Sequence, residues 1–161
     1  MSAPRTRVAA LVGASAALSA VLSACSAASP TPPFVYEDLI VTYGEVPGCH
    51  RALGLHVVLR NVGDRLISAF THDFNLYDRD GNRLGELGSY GFSATVSAKL
   101  SPGEARRYCS SLDSVLHFVP QRGVQVGQHR ITEVQFADGS SWTPLVGLYG
   151  YPYPAREEDG S

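Results

Sequence analysis

The run Leu55-His56-Val57-Val58-Leu59-Arg60, closed by Asn61-Val62-Gly63-Asp64, decides the fold class. Leu55, Val57 and Leu59 share one parity, and His56, Val58 and Arg60 the other. That alternation is the period of a strand with one buried face. The next run, Leu66 to Tyr77, repeats it. Phe70, Phe74 and Leu76 fall on one face, and Thr71, Asp73 and Asn75 on the other. Upstream, Leu39, Val41 and Tyr43 alternate with Ile40 and Thr42. Turn signals punctuate the chain at Pro47-Gly48, Asp80-Gly81-Asn82, Ser101-Pro102-Gly103 and Asp138-Gly139-Ser140. Short alternating strands between such turns predict an all-β sandwich or barrel.

The same pattern extends to the end of the body. Ile131 to Phe136 and Ser141 to Leu145 read as a closing hairpin around Ala137-Asp138-Gly139-Ser140, with Trp142 packed on its face. One segment departs from the β period. Leu112, Val115, Leu116 and Val119 stand at helical spacing, with Ser110 or Ser111 as a cap and Pro120 as a stop. A short helical turn near 111–119 is expected there. An irregular strand would use the same residues.

The N-terminus carries a different signal. Arg5 and Arg7 precede an uncharged stretch from Val8 to Ala24, rich in Ala, Leu, Val and Ser. It is too Ala-rich for a membrane span of about 20 apolar residues. It has the charge, apolar stretch and small residues of a secretory signal. The stretch ends in Leu22-Ser23-Ala24-Cys25, which resembles the lipobox of bacterial lipoproteins. The resemblance implies cleavage before Cys25 and fatty acylation of its thiol. Residues 1–24 are then a signal peptide, and residues 25–33, small and Pro-rich, a tether. Residues 34–148 are the domain. Residues 149–161, with Pro152 and Pro154 and no apolar periodicity, are expected to be a flexible tail. The expected location is the extracytoplasmic face of a cell membrane.

Composition narrows the partners. Loss of Arg5 and Arg7 reduces 13 basic residues to 11 against 15 acidic ones, a net charge of −4. Without a basic patch, nucleic acid is not an expected partner. About 115 residues suffice for a single core. Cys49 and Cys109 remain besides Cys25. In an exported protein an even pair is most simply a disulfide. A thiol or metal pair is the alternative, with His50 adjacent to Cys49.

Phe74-Asn75-Leu76-Tyr77-Asp78, followed by Arg79-Asp80-Gly81-Asn82, spells Phe-x-Leu-Tyr-Asp before an Asp-Gly turn. The closing Val134-Gln135-Phe136-Ala137-Asp138-Gly139-Ser140-Ser141-Trp142 is similar to the last hairpin of small actinobacterial lipoproteins, and the Phe-x-Leu-Tyr-Asp motif resembles the FxLYD family. Val57 to Asp64 and Ser101-Pro102-Gly103-Glu104 are similar to that group's strand-then-Asn and loop patterns. The resemblance covers about Leu55 to Tyr108. It implies an immunoglobulin-like antiparallel sandwich of about seven strands and an extracytoplasmic location, but no activity.

No catalytic constellation stands out. There is no Gly-x-Ser-x-Gly and no Gly-rich phosphate loop after a strand, so no enzyme activity and no cofactor are expected. Asp78-x-Asp80-Gly81-Asn82 invites a calcium reading, but the glycine is misplaced for an EF-hand loop and a hairpin turn explains it. The histidines show no H-x-H or H-x-x-x-H spacing. His72 shares the parity of Phe70 and Phe74: either it is buried, neutral and hydrogen-bonded, or a bulge turns it outward. Trp142, Tyr149 and Tyr151, with His72, are the candidate contacts for a ligand, an envelope protein or a glycan. The expected function is a non-enzymatic, membrane-anchored interaction domain. The competing class is a small-ligand or metal-binding lipoprotein using histidines that the fold brings together.

Overall fold

A computed structural model describes residues 31–84, 91–118, 122–144 and 149–160, with no side-chain description for 116–118. The signal segment, Cys25, most of the tether and the side chain of His117 lie outside the described residues. The strands are β1 (Phe34–Tyr43), β2 (Leu53–Asn61), β3 (Ile67–Tyr77), β4 (Arg83–Leu84), β5 (Phe92–Leu100), β6 (Ala105–Ser111), β7 (Gln125–Phe136), β8 (Ser141–Trp142) and β9 (Arg156–Asp159). A 3-10 helix, Asp113–Phe118, follows β6, where a helical turn was expected.

Two sheets face each other. One runs β6-β2-β1-β9. The other runs β4-β3-β7-β8, with β5 on β3 beside β4. This is the expected all-β sandwich. β4 and β8 are two residues each, which leaves seven longer strands. The inner faces carry Leu39, Val41, Leu55, Val57, Leu59, Phe70, Phe74, Leu76, Ile131 and Val134, all buried. The odd parity of β2 and the even parity of β3 meet in this core. Trp142 is buried at the sandwich end, edge-on to Phe34.

Bulges in β1 and β7 bring two more sets of side chains inward. A register shift between Tyr36 and Asp38 puts Phe34 and Tyr36 on the same side as Leu39, Val41 and Tyr43. In β7, shifts opposite Thr71/His72 and Asp73/Asn75 put Val126, His129, Ile131, Val134 and Phe136 all inside. Gln128 adopts φ 53, and the bulge there turns His129 into the core. Bulges of this kind re-aim a side chain.

Turn chemistry follows the sequence. Asp78 accepts from the amides of Asp80 and Asn82 and from Asn82 Nδ2, at 2.8–2.9 Å. Gly81 at φ 82 closes that turn. The fully buried Asn61 donates to the carbonyls of Arg65 and Leu100, at 2.8 and 2.9 Å, and accepts from Gly63 N. It satisfies backbone groups of two chain segments where a β turn enters the sandwich.

The segment from Tyr149 departs from the expected flexible tail. Tyr151 N donates to the His129 carbonyl at 2.8 Å, and β9 pairs parallel with β1 from Ile40↔Arg156 to Tyr43↔Asp159. Arg156 reaches Asp38 at 2.7 Å and Arg107 reaches Glu158 at 3.1 Å. The strand is polar because it lies at a sheet edge, so apolar periodicity could not announce it. It makes that sheet mixed rather than purely antiparallel.

Candidate functional site

The chemistry of the described residues gathers at two places, one between the sheets and one outside them. The inner one is a chain of four polar side chains. Tyr36 Oη lies 3.2 Å from His129 Nδ1, His129 Nε2 lies 2.8 Å from His72 Nδ1, and His72 Nε2 lies 3.0 Å from Ser110 Oγ. Tyr36 and Ser110 come from one sheet, and His129 and His72 from the other. Both rings are buried, at 0% and 1% exposure. His72 is therefore the buried, hydrogen-bonded alternative of the two its parity left open. Burial holds His72 near a pKa of about 4, only partly offset by Asp73. Burial and the neighbouring His72 hold His129 near about 3. Both rings are neutral at pH 7, so each donates one hydrogen bond and accepts one. The Tyr36 phenol also takes a backbone hydrogen bond from Ile131. The bonds run in one direction through the chain, with both imidazoles protonated at Nε2 or both at Nδ1.

The Ser110–His72 contact has two components of a hydrolase. His72 is sealed from solvent, and its other nitrogen faces a second neutral imidazole rather than a carboxylate. A serine needs an oriented base and an accessible oxyanion site to act as a nucleophile. As arranged, the chain satisfies two buried imidazoles and two half-buried hydroxyls and ties the two sheets together.

The outer cluster lies on the solvent face of the β6-β2-β1-β9 sheet. Cys109 and His56 are direct cross-strand partners. Cys49 and His50 come from the β1–β2 connection, where Val46 and His50 form a bridge and Gly48 takes φ 79. Cys49 and Cys109 are disulfide-bonded with Cα atoms 6.0 Å apart. The link fastens the β1–β2 connection to β6 outside the core. The ligand atoms of Cys49, His50, His56 and Cys109 all lie within 4.8 Å of one another. Thr42 Oγ1 sits between the rings, 2.7 Å from His50 Nε2 and 2.8 Å from His56 Nε2. His56 Nε2 is 3.5 Å from Cys109 Sγ. Burial, Arg107 and His50 hold His56 near about 4, and burial lowers His50.

Gly54 makes this arrangement possible. A Cβ there would overlap His50 Cδ2 and Nε2, so the ring takes the space where a side chain would begin. Asp113 fixes the approach from the other side. Its carboxylate accepts from the amides of Arg51, Ala52 and Leu53 at 2.7, 3.1 and 3.1 Å. Those bonds hold its carboxyl below the usual range. A cleft of about 300 Å³, lined by Glu45, Pro47, Cys49, His50 and Asp113 among others, opens onto the cluster.

The aromatic candidates divide. Trp142 is buried. Tyr149 is half-buried with its ring 5.3 Å from Trp142, and Tyr151 is half-buried edge-on to Tyr36. They cap the sandwich end, packed against the core. Sequence reading missed His129, Tyr36 and the convergence of His50 with His56. The one available signal was the adjacency of Cys49 and His50.

No family model matches the chain, and no curated protein matches it. Among solved structures, the fold is similar to a hypothetical protein from Peptoclostridium difficile 630, with TM-score 0.51 and 15% identity, over 71% of this chain and 88% of that one. A Bordetella pertussis protein assigned as ApaA aligns with TM-score 0.36 and 16% identity, over 80% and 98% of the two chains. The first likeness supports the sandwich fold.

Proposed function

We propose that this chain is a lipid-anchored extracytoplasmic module, held at a membrane by acyl chains on Cys25, whose sandwich engages an envelope partner without catalysing a reaction. The observation that carries the reading is Leu22-Ser23-Ala24-Cys25 at the end of an uncharged apolar stretch preceded by Arg5 and Arg7. Multiple acyl chains give stable anchoring where one alone does not. Phe34 begins β1 nine residues after Cys25, so the tether spans at most about 30 Å and keeps the domain near the bilayer. The Cys49–Cys109 disulfide suits an oxidising compartment.

The partner surface is the side of the sandwich where β5 and β6 lie next to each other. Among the described residues β5 pairs with β3 alone and β6 with β2 alone, so each has a free edge. Between them runs an open groove of about 700 Å³ lined by Leu66, Ala98 and Tyr108, with Lys99 and Arg106 beside it. An extended segment of a neighbouring envelope protein suits such an edge, because main-chain hydrogen bonds supply affinity and alternate side chains supply selectivity.

The test is a photo-crosslinking residue at Ser97, on the β5 edge, in the anchored protein in cells, with Asp80 on the β3–β4 turn as control. A discrete adduct at Ser97 that disappears with Cys25→Ser supports the reading. Equal adducts at both positions, or none at Ser97, refute the assigned surface.

A further inference from the structure

We infer that Cys49, His50, His56 and Cys109 form a zinc site that opens when the disulfide is reduced and closes when it re-forms. The inference does not depend on the lipid anchor. Tetrahedral zinc holds sulfur at about 2.3 Å and imidazole nitrogen at about 2.0–2.1 Å, which places neighbouring ligand atoms about 3.3–3.8 Å apart. The four donors already lie within 4.8 Å of one another, and the His56–Cys109 pair stands at 3.5 Å. Breaking the disulfide lets the two sulfurs separate, Thr42 Oγ1 gives up the two nitrogens, and the donors that stand wider than 3.8 Å close in on the ion. Thr42 Oγ1 now occupies the nitrogens that the metal would take, so the two imidazoles already point at one shared position.

The site does not rely on the disulfide to stay assembled. His56 and Cys109 are fixed by strand register. Cys49 and His50 are held by the Val46–His50 backbone bonds at 2.9 and 3.1 Å, by Gly44 N to Ala52 O at 2.9 Å, and by Asp113 on three amides. Both rings are buried at 4% exposure, while Cys49 is half-buried and lines the cleft. A reductant and an ion can therefore reach the sulfur from solvent.

The chemistry balances. A partner dithiol supplies two electrons and two protons by thiol–disulfide exchange. The Cys49–Cys109 bond breaks, both cysteines become thiols, and the partner leaves as its own disulfide. One Zn²⁺ then replaces the two thiol protons, which pass to solvent, and two neutral imidazoles complete the shell. In the oxidised chain the sulfurs are bonded to each other and carry no thiolate charge, leaving two imidazoles that are spent on Thr42. Exchange with a partner disulfide reverses the step: the partner takes two electrons and two protons and leaves as its dithiol, the Cys49–Cys109 bond re-forms, and the ion is released.

The experiment uses the full chain carrying Cys25→Ser, so that Cys49 and Cys109 are its only cysteines. Oxidised and dithiol-reduced samples are titrated with Zn²⁺, and with Co²⁺ as its spectroscopic substitute, while circular dichroism monitors folding. The expected result is one equivalent bound with tetrahedral thiolate–cobalt absorption in the reduced chain, and loss of that absorption on oxidation. His50→Ala removes a ligand and is expected to abolish the tetrahedral spectrum. Gly54→Ala, which displaces the His50 ring, is expected to weaken binding by roughly 10–100-fold, the range seen when ligand support is removed. Equal binding by the oxidised chain, no thiolate–cobalt band in the reduced folded chain, or unfolding on reduction that Zn²⁺ does not reverse would each overturn the site. Binding insensitive to both His50→Ala and Gly54→Ala would do the same.

Discussion

His72 and His129 share a 2.8 Å hydrogen bond between their ring nitrogens in the centre of the sandwich, one from β3 and the other from β7. Neither ring can take a proton without placing charge in the core. An unfolded histidine titrates near 6.5, whereas the folded values are about 4 and about 3. The unfolded chain thus binds more protons throughout that window. Stability is full above about pH 6.5 and falls as the pH drops towards 4, by about 3 kcal/mol for His72 alone. Urea unfolding between about pH 8 and 4 measures it. A double variant, His72→Leu with His129→Leu, is expected to reduce the slope in this window to the part that His50 and His56 contribute.

The same pair is expected to couple strongly. Replacing either histidine leaves the other ring and one end of the chain, Ser110 or Tyr36, without its partner. The orphaned buried ring costs about 1–3 kcal/mol, and the half-buried hydroxyl less. The double variant loses less than the sum of the two singles, because it leaves no ring unsatisfied. A double-mutant cycle on unfolding free energy measures the difference. Simple additivity would show that the two rings are not bonded.

Asp113 is expected to organise the β1–β2 connection. Asp113→Ala frees three amides, of Arg51, Ala52 and Leu53, and is expected to cost about 1–2 kcal/mol, comparable to a lost helix cap. Hydrogen exchange at those three amides should quicken in the variant. Exchange at wild-type rates would remove Asp113 from this role.

Truncation after Pro154 removes β9 and its pairing with β1. Its ion pairs are exposed and contribute little. The lost ladder and the uncovered Ile40 and Tyr43 are expected to lower the unfolding temperature measurably. An unchanged unfolding temperature would mean that the C-terminal segment is the flexible tail its composition suggests.

How far the sequence could be read depended on where the backbone keeps an even period. β2 and β3 do so around their buried faces, and the alternation from Leu55 to Leu59 and the parity of His72 were legible there. β7 carries two bulges, so its inward residues 126, 129, 131, 134 and 136 follow no single period, and His129 was invisible. Tyr36 was hidden in the same way by the bulge before Asp38. The cysteine pair was legible from compartment and count. That His50 and His56 join it was not, because a loop folded over Gly54 brings them together. β9 escaped because Arg156-Glu157-Glu158-Asp159 reads as solvated chain.

The proposed anchor is the processed, acylated sulfur of Cys25. Intact-peptide mass spectrometry of the protein extracted from membranes tests it most directly. A mature chain starting at Cys25 and carrying glycerol-linked fatty acid mass on that residue is the predicted result. A chain that still holds residues 1–24, or that begins at Cys25 without added lipid, contradicts the account.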